Sequence, residues 1–392
     1  MDPHIVILLN TAWGMGGTIR TTLNLAEHLA PHHDVRIISV VRARHEPFFE
    51  LPAGVKVDVL DDRRPGAGPP RAMRLLRNLL YARSSVLIGS SHRSASIFNL
   101  WVDLKLVRRL RGSRGFLITT RPGLNLLAAE LSHPGLVTIG QEHMNLAAHP
   151  AHLRADMLRR YPRLDALTVL THADLDSYRA ALGARVRLER IPNTVRDMGP
   201  ANADPEAKLV ITAGRLGRQK GYDLLIPAFA QVAAKHPDWR LRILGRGDAR
   251  GRLDALIDQH GVAGVVTIEH PARDLGAEMA KASIYVLSSR FEGMPLVLLE
   301  AMSKGMAIVS FDCPTGPGDI IDDRRNGLLI PRNDVEGLAD GISELIEDQA
   351  LRRRCGAAAI ETARGFTMEA IGPMWDALLR DLLAARAPRV SA

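Results

Sequence analysis

Two carboxylates stand eight residues apart in Ser288-Ser-Arg-Phe-Glu-Gly-Met-Pro-Leu-Val-Leu-Leu-Glu-Ala-Met-Ser-Lys-Gly305, Glu292 and Glu300, with Pro295 at a helix-start position. Eight residues are a little over two helical turns, so the spacing predicts that both acids share roughly one face, Glu300 deeper along the helix. One acid can then reach a sugar and the other the hydroxyls of a ribose. The backbone from Gly293 through Met294, Pro295 and Leu296 to Val297 turns the first N–H groups of that helix towards sugar or phosphates. Two glutamates at this distance are common, and the pair gains meaning from its surroundings. In Ile211-Thr-Ala-Gly-Arg-Leu-Gly-Arg-Gln-Lys-Gly221, Arg215 and Lys220 follow a strand inside a short loop bounded by glycines. Two fixed cations at a sheet's carboxyl edge suit a diphosphate, whose negative charge grows as a glycosidic bond breaks. Standing alone, the same loop would be read in preference as a solvated surface turn. A third loop, Asn10-Thr-Ala-Trp-Gly-Met-Gly-Gly-Thr-Ile-Arg20, follows the first strand and opens a helix, so Gly14, Gly16 and Gly17 either let backbone N–H groups approach a phosphate or simply make a tight turn. Its glycine spacing is not G-x-G-x-x-G, and strand two runs into Val41-Arg42 rather than an acid, which disfavours a dehydrogenase.

The elements that must position these residues are short apolar runs alternating with helix-length segments, the pattern of parallel sheets with helices on both faces. Strands are expected at 5–9, 35–41, 55–60, 116–120, 136–139, 167–170 and 186–191, then at 208–212, 240–244, 265–269, 284–288 and 307–311. Two Rossmann-like doubly wound α/β domains facing across a cleft result, covering 1–192 and 208–366, with 193–207 as a Pro- and Gly-bearing linker. Residues 367–392 form a C-terminal amphipathic helix that caps the second domain or crosses back to the first.

The chain has 392 residues, of which 46% are apolar and 24% charged, the composition of a folded globular protein. No apolar run approaches the roughly 20 residues that span a bilayer, and the start carries no basic segment of a secretion signal, so a cytoplasmic protein is expected. Cys313 and Cys355 make neither a disulfide framework nor a metal-ligand spacing. A net charge of +8 favours anionic partners, whereas 4% aromatics with no aromatic and basic interleaving argue against nucleic acid. After the loop Arg63–Pro70 come two basic amphipathic segments, 71–80 and 104–114. Each is read as a helix packing its Leu and Val on the core with a solvated basic back; the sharper alternative is peripheral contact with an anionic membrane or polymer.

The run from Glu292 to Glu300 resembles the E-x7-E motif of family 4 retaining glycosyltransferases, with Gly214-Arg215 and Lys220 similar to that family's diphosphate-binding Arg and Lys. Phe311-Asp-Cys-Pro-Thr-Gly-Pro-Gly-Asp-Ile-Ile321 and Asn326-Gly-Leu-Leu329 look like its continuation. The resemblance implies the GT-B architecture, a nucleotide-sugar donor that is usually a UDP-sugar, retention at the anomeric carbon, no obligatory metal or other cofactor, and a hydroxyl acceptor on a glycan, lipid-linked or anionic polymer, as in cell-envelope glycan synthesis. Carried over to these positions, it assigns Glu300 to the donor ribose, Glu292 to the transferred sugar, Arg215 and Lys220 to the diphosphate, and Gly16 and Gly17 to the phosphates from the first, acceptor-side domain. The family also tends to carry a histidine after a first-domain strand near the donor sugar. His143 in Ile139-Gly-Gln-Glu-His-Met-Asn145 matches it, with Glu142 as a fallback, and Arg121 is a further strand-end candidate. The pattern departs from many relatives at Ile268-Glu-His-Pro271, where they have a glycine, which leaves the nucleotide open. The competing readings are a sugar-nucleotide epimerase on the same fold and a non-catalytic sugar-nucleotide binding protein.

Overall fold

The computed structural model describes residues 4–67, 71–87, 97–200 and 202–386, so Gly68–Pro70 of the expected loop and residues 387–392 of the expected tail lie outside the described residues. The chain divides into two compact units, residues 1–192 with 372–392, and residues 193–371.

The first unit holds a seven-stranded sheet of β1 (Ile5–Leu9), β2 (Val35–Arg42), β3 (Lys56–Asp62), β4 (Gly115–Thr119), β5 (Leu136–Gln141), β6 (Ala166–Val169) and β7 (Arg187–Arg190), in the order β3-β2-β1-β4-β5-β6-β7. The second holds β8 (Leu209–Ala213), β9 (Arg240–Leu244), β10 (Val266–Glu269), β11 (Ile284–Leu287), β12 (Ala307–Asp312) and β13 (Leu328–Pro331), in the order β10-β9-β8-β11-β12-β13. Neighbouring strands pair in parallel throughout both sheets. Parallel strands need crossovers, so helices cover both faces and the strands become fully apolar; β1 and β11 are buried at every position. All twelve strands expected from sequence occur within two residues of their predicted ends. The thirteenth, β13, is a four-residue edge strand after Asn326-Gly327, too short to stand out from its turn.

In both sheets the strand order reverses beside the first strand, between β1 and β4 and between β8 and β11. Crossovers leave in opposite directions there, so the loops at the carboxyl ends part and open a crevice, the place where such sheets bind ligands. The loop after β8 contains Arg215 and Lys220, and the loop after β11 contains Glu292.

Residues 193–207 lie against the second unit: the Val195 N–H donates to the Phe366 carbonyl at 2.8 Å, and Lys304 Nζ donates to the Gly199 carbonyl at 2.9 Å. The helix Met368–Arg386 is fastened to the first unit through His28–Asp376, Arg187–Asp381 and Arg386–Asp165 contacts of 3.1, 2.9 and 2.6 Å.

The two basic segments behave differently. The second is a helix over Leu100–Leu110, four residues earlier than expected, because the Asn99 side chain caps it by accepting from the Val102 N–H at 3.0 Å and Gly112, at φ +75°, ends the turn after it. It buries Trp101, Val102, Leu106 and Leu110 as predicted for a core helix. The first, Arg71–Tyr81, departs from that expectation: Met73, Leu75, Leu76 and Leu79 are exposed, Leu75 at 83%. A leucine left in water forgoes the roughly 1.5–3 kcal/mol that full burial brings.

Candidate functional site

Gly221 determines how the second unit's crevice closes. It has φ +64°, and a Cβ there would lie 2.0 Å from the Ser288 carbonyl oxygen, so only glycine lets the loop after β8 touch the end of β11. Gly214 serves the same contact, since a Cβ on it would meet Lys220 Cε and the Tyr222 hydroxyl at 2.8 Å. The two loops are then stitched: Ser288 Oγ donates to the Lys220 carbonyl at 2.9 Å, the Arg290 N–H to the Gln219 carbonyl at 2.8 Å, and Arg290 holds Asp223 through two bonds of 2.7 and 2.9 Å.

Glu292 lies at the centre of this stitching and is buried. Its Oε1 accepts from Lys220 Nζ and from Ser289 Oγ, both at 2.7 Å, and its Oε2 accepts from Gln219 Nε2 at 3.3 Å. A carboxylate offers about four acceptor positions, so these donors leave roughly one for a ligand hydroxyl. The backbone is fixed as well: Thr315 Oγ1 donates to the Glu292 carbonyl at 2.6 Å, and Asn193 Nδ2 to the Met294 carbonyl at 3.1 Å. A Cβ at Gly316 would meet the Gly293 carbonyl at 2.3 Å, so the loop after β12 presses on Gly293 and Pro295. Burial pushes the neighbouring Cys313 thiol up to about 12, with the Glu292 charge adding to it, so Cys313 is no nucleophile.

Glu292 and Glu300 do not share a helical face, contrary to the spacing argument. The helix runs Leu296–Ser303 with Pro295 as its N-cap, so Glu292 belongs to the preceding loop and Glu300 to the helix's second turn. The hydroxyl pKa of the buried Tyr285 of β11 is raised by burial first, and the charges of Glu300 and Glu292 add to it. No side chain caps that helix, and Leu296 and Val297 sit in its first turn. Arg215 is exposed and makes no side-chain bond to a described residue, whereas Lys220 is drawn in by Glu292. Of the acids and cations singled out in the sequence, the structure brings Lys220 and Glu292 into contact; the residues that hold them, Gln219, Ser289, Thr315 and Asn193, were missed. Only Ser289, three residues before Glu292, had a local signal.

In the first unit, Gly16 caps the helix Gly17–Leu29 in extended conformation, and both glycines are exposed. A Cβ on Gly16 would meet nothing within 4 Å, so neither backbone nor packing requires glycine there. His143 follows β5, and its Nε2 is buried without a hydrogen-bond partner among the described residues. Burial first, and the Arg121 cation second, press its pKa down to about 3, which keeps the ring neutral near pH 7. Arg121 itself precedes Pro122 at the start of the helix Pro122–Leu131. Glu142, next to His143, turns into the interior: its Oε1 accepts from Asn125 Nδ2 at 2.8 Å and from the Tyr161 hydroxyl, and its Oε2 lies 3.4 Å from His149 Nε2.

A family model for glycosyl transferases group 1 matches residues 196–362, which contain the stitched crevice. That stretch is under half of the chain. Beyond it, the whole chain is similar to the exopolysaccharide phosphotransferase of Streptomyces coelicolor, 36% identical over 388 residues, covering 95% of this chain and 40% of that protein. The chain thus spans well under half of that relative. It is also 23% identical over 383 residues to the amylovoran biosynthesis glycosyltransferase AmsD of Erwinia amylovora, covering 96% of this chain and 99% of AmsD. Among solved structures, TarM of S. aureus in complex with fondaparinux, alpha-GlcNAc-glycerol and UDP matches with a TM-score of 0.78 at 15% identity, over 96% of this chain and 99% of that one. Sucrose-phosphate synthase of Thermosynechococcus elongatus matches with a TM-score of 0.76 at 18% identity, over 97% and 100%. Both are likenesses of fold: two parallel-sheet α/β units of the GT-B kind, the second of which contains the stretch that matches the group 1 model.

Proposed function

We propose that this chain is a retaining glycosyltransferase of family 4, moving a hexosyl group from a UDP-sugar to a hydroxyl of a glycan, lipid-linked or anionic polymer acceptor on the cytoplasmic side of a cell envelope. The observation that carries this reading is the Lys220–Glu292 contact of 2.7 Å at the β8/β11 reversal, within the stretch that matches the group 1 model. A cation and a carboxylate held against each other give a diphosphate and a sugar hydroxyl adjoining anchors. In this reading Arg215 and Lys220 bind the diphosphate, and Glu300 binds the ribose. Glu292 holds the sugar with its remaining acceptor position. The N–H groups from Gly293 to Val297, Pro295 excepted, face the donor. By the same resemblance Gly16, Gly17 and His143 are proposed as further donor contacts, His143 as a neutral imidazole that can take part in a hydrogen bond without adding charge.

The departing diphosphate gathers negative charge as the anomeric C–O bond breaks, and preorganised cations and N–H groups stabilise it. That chemistry needs no metal. The acceptor's proton passes to the departing phosphate on the same face, which retains configuration without a protein nucleophile; a Glu292 already engaged by three donors suits this role better than attack. UDP in the structure of TarM supports a uridine donor. The amylovoran biosynthesis named for AmsD is in keeping with a glycan acceptor.

A thermal-shift screen against UDP-, GDP- and ADP-sugars, repeated on Glu300→Ala, tests it. A UDP-sugar at a hundredfold excess over its Kd stabilises the wild type by about 2.7 kcal/mol, and the variant loses most of that. A screen in which no sugar nucleotide shifts the wild type would defeat the donor assignment.

A further inference from the structure

We infer that the helix Arg71–Tyr81, with the adjoining surface of the helix Leu100–Leu110, docks the protein onto a bilayer of anionic lipids. The inference is independent of the sugar-transfer reading. Leu75, Leu76 and Leu79 are 83, 47 and 62% exposed, and on the neighbouring helix Leu104 and Val107 are 51 and 38% exposed. In the first helix Leu75 and Leu79 are one turn apart and so share a stripe. Elsewhere the helices are held from beneath: Tyr81 and Arg77 reach Asp61 of β3, and Trp101, Val102, Leu106 and Leu110 enter the core. The exposed leucines are therefore the outer side of an anchored pair of helices, and a run of apolar side chains in water marks a binding face.

Charge identifies the occupant. Arg74, Arg83, Arg108 and Arg111 are exposed and make no side-chain ion pair or hydrogen bond with a described residue. Residues 71–87 contain no acid, and residues 97–114 contain one, Asp103, which is buried and accepts from Ser85 Oγ at 2.7 Å and from the Val86 N–H at 2.8 Å. The part-exposed acid against these helices, Asp58 of β3, is already paired with Arg109 and Arg36, so the charge the two helices leave unpaired among the described residues is positive. A soluble anionic polymer would meet the arginines and leave the leucines in water. A second copy would meet the leucines and set arginine against arginine. Anionic lipid supplies acyl chains and headgroup charge in a single layer, which matches an amphipathic helix lying at an interface with its cations at headgroup level.

Flotation with vesicles of phosphatidylcholine alone and with added phosphatidylglycerol tests this on the whole protein. The expected result is co-flotation only with the anionic vesicles, weakened as salt is raised. Arg74→Gln and Arg83→Gln each lower the partition coefficient on the order of fivefold. Leu75→Asp with Leu79→Asp abolishes flotation while the melting temperature stays at the wild-type value, as expected for exposed positions. Absence of flotation with anionic vesicles, or undiminished flotation of the Leu75→Asp, Leu79→Asp protein, overturns the proposal. So does sedimentation showing a wild-type dimer that the double variant converts to monomer, which would give the face to a second copy.

Discussion

The reversal points of the two sheets occupy equivalent places in their folds and are built on different plans. At β8/β11 the backbone is pressed together through Gly221 and Ser288, and the acid and the cation there are tied to each other and to Ser289 and Gln219. At β1/β4 the loop is open around Gly16, and the polar network nearby serves to hold Glu142 inward, leaving His143 Nε2 unpartnered among the described residues. The second edge spends its glycines on packing. The first keeps a glycine where packing asks for none. The comparison teaches that glycine counts in a loop carry no functional meaning until the space around each Cβ is known.

The largest expected effect separates those two kinds of glycine. Gly221→Ala forces a Cβ into the Ser288 carbonyl at a positive φ and should destabilise the second unit by about 3 kcal/mol or more, read by denaturant unfolding. Gly16→Ala has space and an extended backbone, so its stability should change by less than about 0.5 kcal/mol. If its backbone approaches a phosphate, kcat/KM should nonetheless fall about 10- to 100-fold. Equal stability losses in the two variants would erase the contrast.

Next comes the Lys220–Glu292 pair, with side chains 16 and 9% exposed. Lys220→Met or Glu292→Gln alone strands one nearly buried charge or its donors and should cost about 2–3 kcal/mol. The double variant should recover part of that loss, leaving a coupling energy of at least about 1 kcal/mol. A double variant whose loss equals the sum of the singles would mean that the contact is not energetically real. In the first unit the corresponding test is smaller. With His143 held near 3 in the folded protein against about 6.5 unfolded, the unfolded chain takes up a proton first as the pH falls. Stability is therefore complete above pH 6.5 and erodes between pH 6.5 and 3, at up to about 1.4 kcal/mol per pH unit from this group. His143→Gln should flatten that part of the acid-unfolding curve. An unchanged curve would remove the basis for a neutral, buried imidazole.

Much of this was legible in the sequence for a definite reason. Parallel strands are buried on both faces, so Ile5–Leu9 and Ile284–Leu287 declare themselves as apolar runs, and glycines and prolines punctuate them. Glu292, Glu300, Arg215 and Lys220 stood out as candidates because acids and cations gathered after strands are the types that phosphate and sugar chemistry would use. The inward turn of Glu142 was not, because period-2 alternation gives two faces without saying which one is covered. The exposed leucines between 75 and 79 were misread for a related reason: a helical moment shows that a helix has an apolar side, and whether another element covers it depends on what packs there.

By itself the sequence determined the local terms: the strand and helix periods, the strand-end loops, the basic stretches and the residue types that could bind a nucleotide-sugar. Tertiary structure alone decided the order β10-β9-β8-β11-β12-β13, and with it which loops meet. Lys220 and Glu292, 72 residues apart, touch because β8 and β11 are neighbours, a fact of long-range pairing that no local period encodes. The spacing of Glu292 and Glu300 misled because it counts residues as though all were helical, whereas Glu292 lies in the loop before the helix Leu296–Ser303 and Glu300 within it.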